Sequence, residues 1–80
     1  MGLAKTEAEW AERASRHLKT ELQRAGVTYD GLANLLKKHG FRDETKASIA
    51  SKLSRATMSA HFFLASLVAI GKEKVTLEEI

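Results

Sequence analysis

The chain has 80 residues, 44% of them hydrophobic and 29% charged, which predicts one small soluble domain, residues 1–80, with a single core. It carries a net charge of +3 and has no cysteine and no proline, which excludes disulfides, thiolate zinc sites and cysteine nucleophiles. The first ten residues are charged and lack the apolar core of a secretory signal, and the longest apolar stretch, 58–70, is too short to cross a bilayer. We therefore expect a cytoplasmic protein without a membrane segment.

Apolar periodicity interrupted by glycines predicts an all-α fold of four to five helices. The first helix, 6–25, aligns on one stripe the residues Trp10, Ala14, Leu18, Leu22 and Ala25. Gly26 is expected to end this helix in the left-handed conformation that glycine tolerates best.

Thr28 is a good N-cap for a second helix, 29–39, which Gly40 would close. Its apolar side consists of Leu32, Ala33, Leu35 and Leu36. Asp43 can cap a third helix, 44–55, in which Ile49 and Leu53 would face the core.

The fourth predicted helix, 59–70, can be capped by Thr57 or Ser59 and is apolar on nearly every side. It is therefore either the central helix of the core or partly an oligomer contact. For the tail, 72–80, the alternation of Val75 and Leu77 fits a short strand, whereas 76–79 resembles a capped helical turn. Core packing is the expected role of Trp10, Phe62 and Phe63.

The positive charge is concentrated in one segment of the chain. Residues 37–55 carry a net charge of +4 and the remainder carries −1. The basic residues of this segment are Lys37, Lys38, Arg42, Lys46, Lys52 and Arg55, against Asp43 and Glu44. Such a cluster is typical of a surface that binds a polyanion, most often nucleic acid, although accidental clustering on a solvated helix pair is the alternative.

The third helix would present short side chains outward. With Ile49 and Leu53 inward, the opposite face consists of Ala47, Ser48, Ser51, Ser54 and Arg55, flanked by Lys46 and Lys52. Small side chains let a helix backbone enter a major groove closely, and Arg55 could contact guanine or phosphate in a bidentate manner.

Residues 18–33, together with 48–55, resemble the Cro and phage-repressor type of helix-turn-helix domain. The segment 18–33 is similar to the end of helix one and the start of helix two of that class, and 48–55 takes the place of the recognition helix. The connection after Ala33 is longer than in that pattern, since Gly40 comes seven residues later. The resemblance implies that the N-terminus of the second helix, with Thr28 and Tyr29, points toward the DNA backbone.

A closer resemblance, over nearly the whole chain, is to a small bacterial family of uncharacterised domains. The motifs that carry it are 26–29, 32–33, 47–49, 52–55, 62–64 and 69–71. This resemblance implies a fold, but it implies nothing about activity, because no activity is assigned to the family.

Residues suited to catalysis are not arranged for it. His17, His39 and His61 lie 22 residues apart without a second ligand one helical turn away, and no serine lies in a nucleophile elbow. We therefore expect no enzyme, no metal site, no cofactor and no small-molecule substrate.

The expected function is binding of double-stranded DNA, sequence-specific or semi-specific, by a transcriptional regulator that places residues 45–55 in the major groove and works as a homodimer through the fourth helix or the tail. The expected DNA-binding residues are Thr28, Tyr29, Lys37, Lys38, Arg42, Lys46, Ala47, Ser48, Ser51, Lys52 and Arg55. The alternative is a protein–protein interaction module on the same helical scaffold.

Overall fold

A computed structural model describes residues 3–80, in which four α-helices are followed by one 3₁₀ turn. The helices are α1 (Glu7–Ala25), α2 (Tyr29–Lys37), α3 (Lys46–Arg55) and α4 (Ala60–Ala69), and the 3₁₀ turn is Leu77–Glu79. The prediction of an all-α fold is confirmed. The possible C-terminal strand is wrong, because no residue from 3 to 80 is in a β-strand and the tail has no partner strand to pair with.

Each α-helix begins at a hydroxyl side chain that accepts a backbone hydrogen bond from the third residue of its helix. These caps are Thr6, Thr28, Thr45 and Ser59. At Thr45 the bond is reciprocal, since the Ser48 hydroxyl also accepts from the Thr45 N–H at 2.9 Å, which completes a capping box. The expectation that Asp43 caps the third helix is therefore wrong, and α3 begins at Lys46.

The helix ends differ in how the chain turns away. Gly26 adopts φ 69° after α1, as expected, and its N–H bonds to the carbonyls of Leu22 and Gln23. Helix α2 stops at Lys37, before Gly40, and a connection of residues 38–45 leads to α3. After α3, Ala56 takes the left-handed conformation at φ 53°, which is unfavourable for a residue with a Cβ atom.

All four helices contribute to one apolar core. Its buried residues are Leu18, Leu22, Leu32, Ala33, Leu36, Ile49, Leu53, Phe62 and Leu67. The Ser15 hydroxyl of α1 donates to the Leu53 carbonyl in the last turn of α3, so a buried hydrogen bond reinforces the packing of these two helices. Phe63 is half-buried against this core, its ring 6.2 Å from that of His17.

Trp10 lies outside the core. Its side chain is 51% exposed, so the prediction that it packs in the interior is wrong. Ala25, at the other end of the predicted stripe, is also exposed, because α1 has 19 residues and the helices packed against it, α3 and α4, have ten each and are too short to cover its whole length. Among the residues that the structure describes, no helix has the length and apolar character needed to span a membrane.

Candidate nucleic-acid interface

Five basic side chains lie exposed along the α2–α3 unit. Lys37 is in the last turn of α2 and Lys38 follows it, Arg42 is in the connection, and Lys46 and Arg55 are in the first and last turns of α3. Within residues 3–80 none of these five side chains forms an ion pair. At 1.5 Å per residue, Lys46 and Arg55 stand about 14 Å apart along the axis of α3. The unit therefore presents several free positive charges along one short helix and the connection before it.

The outward face of α3 consists of short side chains. Ile49 and Leu53 are fully buried, as expected, and they fix which side of the helix meets solvent. The exposed residues on that side are Ala47, Ser51, Ser54 and Arg55. Helix α3 contains no acidic residue, so no carboxylate within it opposes the approach of an anion.

Ser48 and Lys52 differ from the rest of the expected interface because both are half-buried and engaged. The Ser48 hydroxyl belongs to the capping box and donates to the Glu44 carboxylate at 2.7 Å. The Lys52 ammonium forms an ion pair with Glu44 and stands 4.7 Å above the centre of the Phe62 ring. The side chain of Lys52 is only 33% exposed. Lys52 of α3 therefore contacts both the connection, through Glu44, and α4, through Phe62.

Glu44 is the residue that sequence reasoning missed. Its side chain is 11% exposed. Although burial opposes ionisation, the hydrogen bonds from Lys52 and Ser48 hold the pKa of this carboxyl below its ordinary value of 4.5. The spacing of Glu44, Ser48 and Lys52, four residues each, is the signal that could have indicated a shared helical face.

Thr28 and Tyr29 lie at the opposite end of α2 from Lys37, about 12 Å away along the helix axis. The Thr28 hydroxyl accepts the Gly31 N–H at 3.0 Å, so it serves as the helix cap. Tyr29 is half-buried and lines a shallow groove of about 290 Å³ with Lys19, Gln23 and Val27. The structure thus separates Thr28 and Tyr29, at the start of α2, from Lys37 and Lys38, at its end.

A larger cleft of about 450 Å³ is formed by α1 and the tail, without any residue of the segment 37–55. Its lining consists of Arg16, His17, Thr20, Glu21, Arg24, Glu79 and Ile80. Buried Glu21 pairs with Lys72 at 3.2 Å and with Arg24 at 3.1 Å. The hydrogen bond from Lys72 lowers the pKa of Glu21 more than burial raises it. Because Lys72 follows α4 and Glu21 belongs to α1, this pair anchors the segment after α4 to α1.

The structure defines a small all-helical domain whose net positive charge comes from one helix pair and its connection, residues 37–55. A family model described as a domain of unknown function, DUF6471, matches residues 10–75, and the chain belongs to this family. No curated protein and no solved structure matches the chain. Nothing in these comparisons connects the family to repressor-type helix-turn-helix proteins.

Proposed function

We propose that the protein binds double-stranded DNA and acts as a transcriptional regulator, with α3 in the major groove. The observation that carries the proposal is the outward face of α3, which has short side chains and no carboxylate, on a helix pair whose five exposed cations form no ion pair among the described residues. Phosphate contacts supply much of the affinity of DNA-binding proteins, and contacts to base edges supply the specificity.

The major groove is about 12 Å wide and accepts one α-helix. Ala47, Ser51 and Ser54 are short enough to allow the backbone of α3 to approach the bases, and the two serine hydroxyls can donate to or accept from base edges. Arg55 is assigned to a phosphate, and so are Lys37, Lys38, Arg42 and Lys46. Ser48 is assigned to the helix cap, because its hydroxyl is already engaged there.

Fluorescence anisotropy with a short random-sequence duplex tests this proposal. With five phosphate contacts, the logarithm of the association constant should fall against the logarithm of salt concentration with a slope of about −4.5, or about 500-fold between 50 and 200 mM salt. The R42Q/R55Q variant should bind at least tenfold more weakly at about 100 mM salt, with a slope shallower by about 1.8.

The matched control is K5Q/K74Q, which removes the same charge from two exposed lysines outside the segment 37–55 and outside the groove beside Tyr29. We expect this variant to bind within about threefold of the wild type, because distant surface charges are screened at this salt concentration. Absence of wild-type binding at about 50 mM salt, or equal losses in the two double variants, would reject the proposal.

We also expect two copies to bind together, with α4 as the contact. Leu64 and Val68, one turn apart, are 59% and 57% exposed. Helix α4 contains no charged residue, so two copies that each carry +3 can approach here without placing like charges opposite each other. A symmetric dimer would present two copies of α3 to the DNA and so double the number of base contacts. Sedimentation should show concentration-dependent dimers that L64S/V68S converts to monomers, and a wild type that stays monomeric even on DNA would contradict this expectation.

The exposed Leu64 and Val68 also favour a second candidate function, a module that binds another protein. This candidate predicts that the pure protein is monomeric and fails to bind DNA at about 50 mM salt. The anisotropy and sedimentation measurements therefore separate the two functions without knowledge of the partner.

A further inference from the structure

Glu44 lies just before α3, at the boundary between the connection and the proposed DNA-binding surface. Its carboxylate accepts a hydrogen bond from the Ser48 hydroxyl at 2.7 Å and pairs with the Lys52 ammonium. Ser48 and Thr45 are joined in the capping box. One carboxylate thus contacts both a capping side chain of α3 and the lysine two turns into that helix.

Lys52 is held by a second partner as well. Its ammonium stands 4.7 Å above the ring of Phe62, and that ring is buried in the core of the domain. A move of Lys52 toward a phosphate would give up this cation–π contact and would leave the Glu44 carboxylate, only 11% exposed, without its counter-ion. Removing the partner of a largely buried charge is unfavourable, so Lys52 is retained by the protein.

Arg55, three residues later, has neither restraint. It is exposed, it forms no ion pair within the described residues, and it lies on the outward face with Ser51. Two basic residues of the same helix therefore have different availability to an anion, although the sequence makes them appear equivalent.

We propose that Glu44 is a positioning residue that holds Lys52 out of the protein–DNA contact, so that five basic residues of the segment 37–55 meet phosphates and the sixth does not. This inference rests on the proposed DNA binding and identifies which charges of that surface take part in it.

The test compares the salt dependence of DNA binding for single variants that fold as judged by thermal melting. K52Q should leave the slope within about 0.3 of the wild-type value and the affinity within about threefold, whereas R55Q should make the slope shallower by about 0.9. Glutamine at position 52 keeps an N–H donor for Glu44, so the connection retains a partner.

E44Q supplies the converse measurement, because it removes the charge that retains Lys52. We expect a slope steeper by up to about 0.9 and binding about fivefold tighter at about 100 mM salt. The matched control is D43N, which removes one negative charge from the neighbouring exposed residue without releasing Lys52. Adding K52Q should abolish the E44Q gain and leave any D43N gain unchanged.

The outcomes separate the two proposals. If the wild type binds DNA and K52Q loses as much slope as R55Q, Lys52 contacts phosphate, and the positioning role of Glu44 is wrong while the proposed function stands. If E44Q and D43N change DNA binding equally, both in the wild type and in K52Q, the gain comes only from removing a negative charge near the DNA, and the inference is again overturned. If the wild type does not bind, the proposed function fails, and the inference fails with it. Should E44Q not fold, the comparison of K52Q with R55Q decides alone.

Discussion

Helices α3 and α4 have the same length and the same kind of N-cap, yet they present opposite chemistry to solvent. Each has ten residues and begins after a hydroxyl cap. Helix α3 buries Ile49 and Leu53 and exposes short polar side chains with Arg55, whereas α4 buries Phe62 and Leu67 and exposes Leu64 and Val68.

The comparison shows that the inward residues of a helix determine the fold, whereas its outward residues determine what its surface can bind. The inward residues of both helices meet in one core, which accounts for the fold. The outward residues contribute little to folding, so their contrast indicates two surfaces, one suited to a polyanion and one suited to an apolar partner.

The largest expected effect separates inward from outward positions within α4. Phe62→Ala should lower the free energy of unfolding by about 3–5 kcal/mol, because it leaves a cavity in the core and removes the ring beneath Lys52. That is a large fraction of the roughly 4–12 kcal/mol expected for a domain of this size. Chemical denaturation should show Leu64→Ala within about 0.5 kcal/mol of the wild type, and equal losses in the two variants would contradict the separation.

The next largest effect on stability is expected at the turn between α3 and α4. Ala56 has φ 53°, a conformation in which a Cβ atom costs roughly 1 kcal/mol, so Ala56→Gly should raise the free energy of unfolding by a similar amount. The matched control is Ala47→Gly in the helical first part of α3, which should be destabilising by about 0.5–1 kcal/mol. Thermal melts that shift in the same direction for both variants would show that the left-handed turn is not strained.

Each of the two helices has a glutamate beside it that is largely withdrawn from solvent, Glu44 before α3 and Glu21 against the segment after α4. Both pKa values lie below the ordinary 4.5 in the folded chain, so these carboxyls stabilise the fold above that pH. The unfolded chain takes up these protons first on acidification, and the stabilisation is lost as pH falls from about 4.5 through the lower folded pKa values. E21Q and E44Q should each reduce the slope of the free energy of unfolding against pH in this acidic range, by the equivalent of less than about one proton. A wild-type free energy of unfolding that does not change from pH 6 to 3 would contradict the two ion pairs.

The smallest expected effect on stability is at the outward face of α4. L64S/V68S should change the free energy of unfolding of the monomer by no more than about 0.5 kcal/mol, since more than half of each side chain already meets solvent. The measurement is denaturation at a concentration too low for dimers. A loss of several kcal/mol would mean that these side chains belong to the core, and α4 would have no free apolar face.

The sequence was sufficient for those features that depend on neighbours along the chain. Periodicity predicted the helices and the inward Ile49 and Leu53, and Gly26 marked the end of α1. The stripe on α1 failed at Trp10, because periodicity identifies a face but not how far along a helix the other elements cover it.

For the candidate nucleic-acid interface, the sequence predicted which segment carries the basic residues but not which of those residues are free. The segment 37–55 concentrates the positive charge, but the pattern does not show that Glu44 neutralises Lys52, since that pairing depends on how the connection folds back and on where Phe62 of α4 lies. The cap of α3 was missed for a similar reason: Asp43 and Thr45 are both good N-cap residues, and the capping box with Ser48 decides between them.

The proposed function requires that α3, and not α4, is the surface that meets DNA. The most direct test is an NMR titration of the ¹⁵N-labelled protein with a short random-sequence duplex at about 50 mM salt. DNA binding through α3 predicts that amide shifts concentrate in Lys46–Arg55 and in the exposed basic residues Lys37, Lys38 and Arg42, and that they vanish as salt is raised. Shifts centred on Leu64 and Val68, with α3 unchanged, would contradict it.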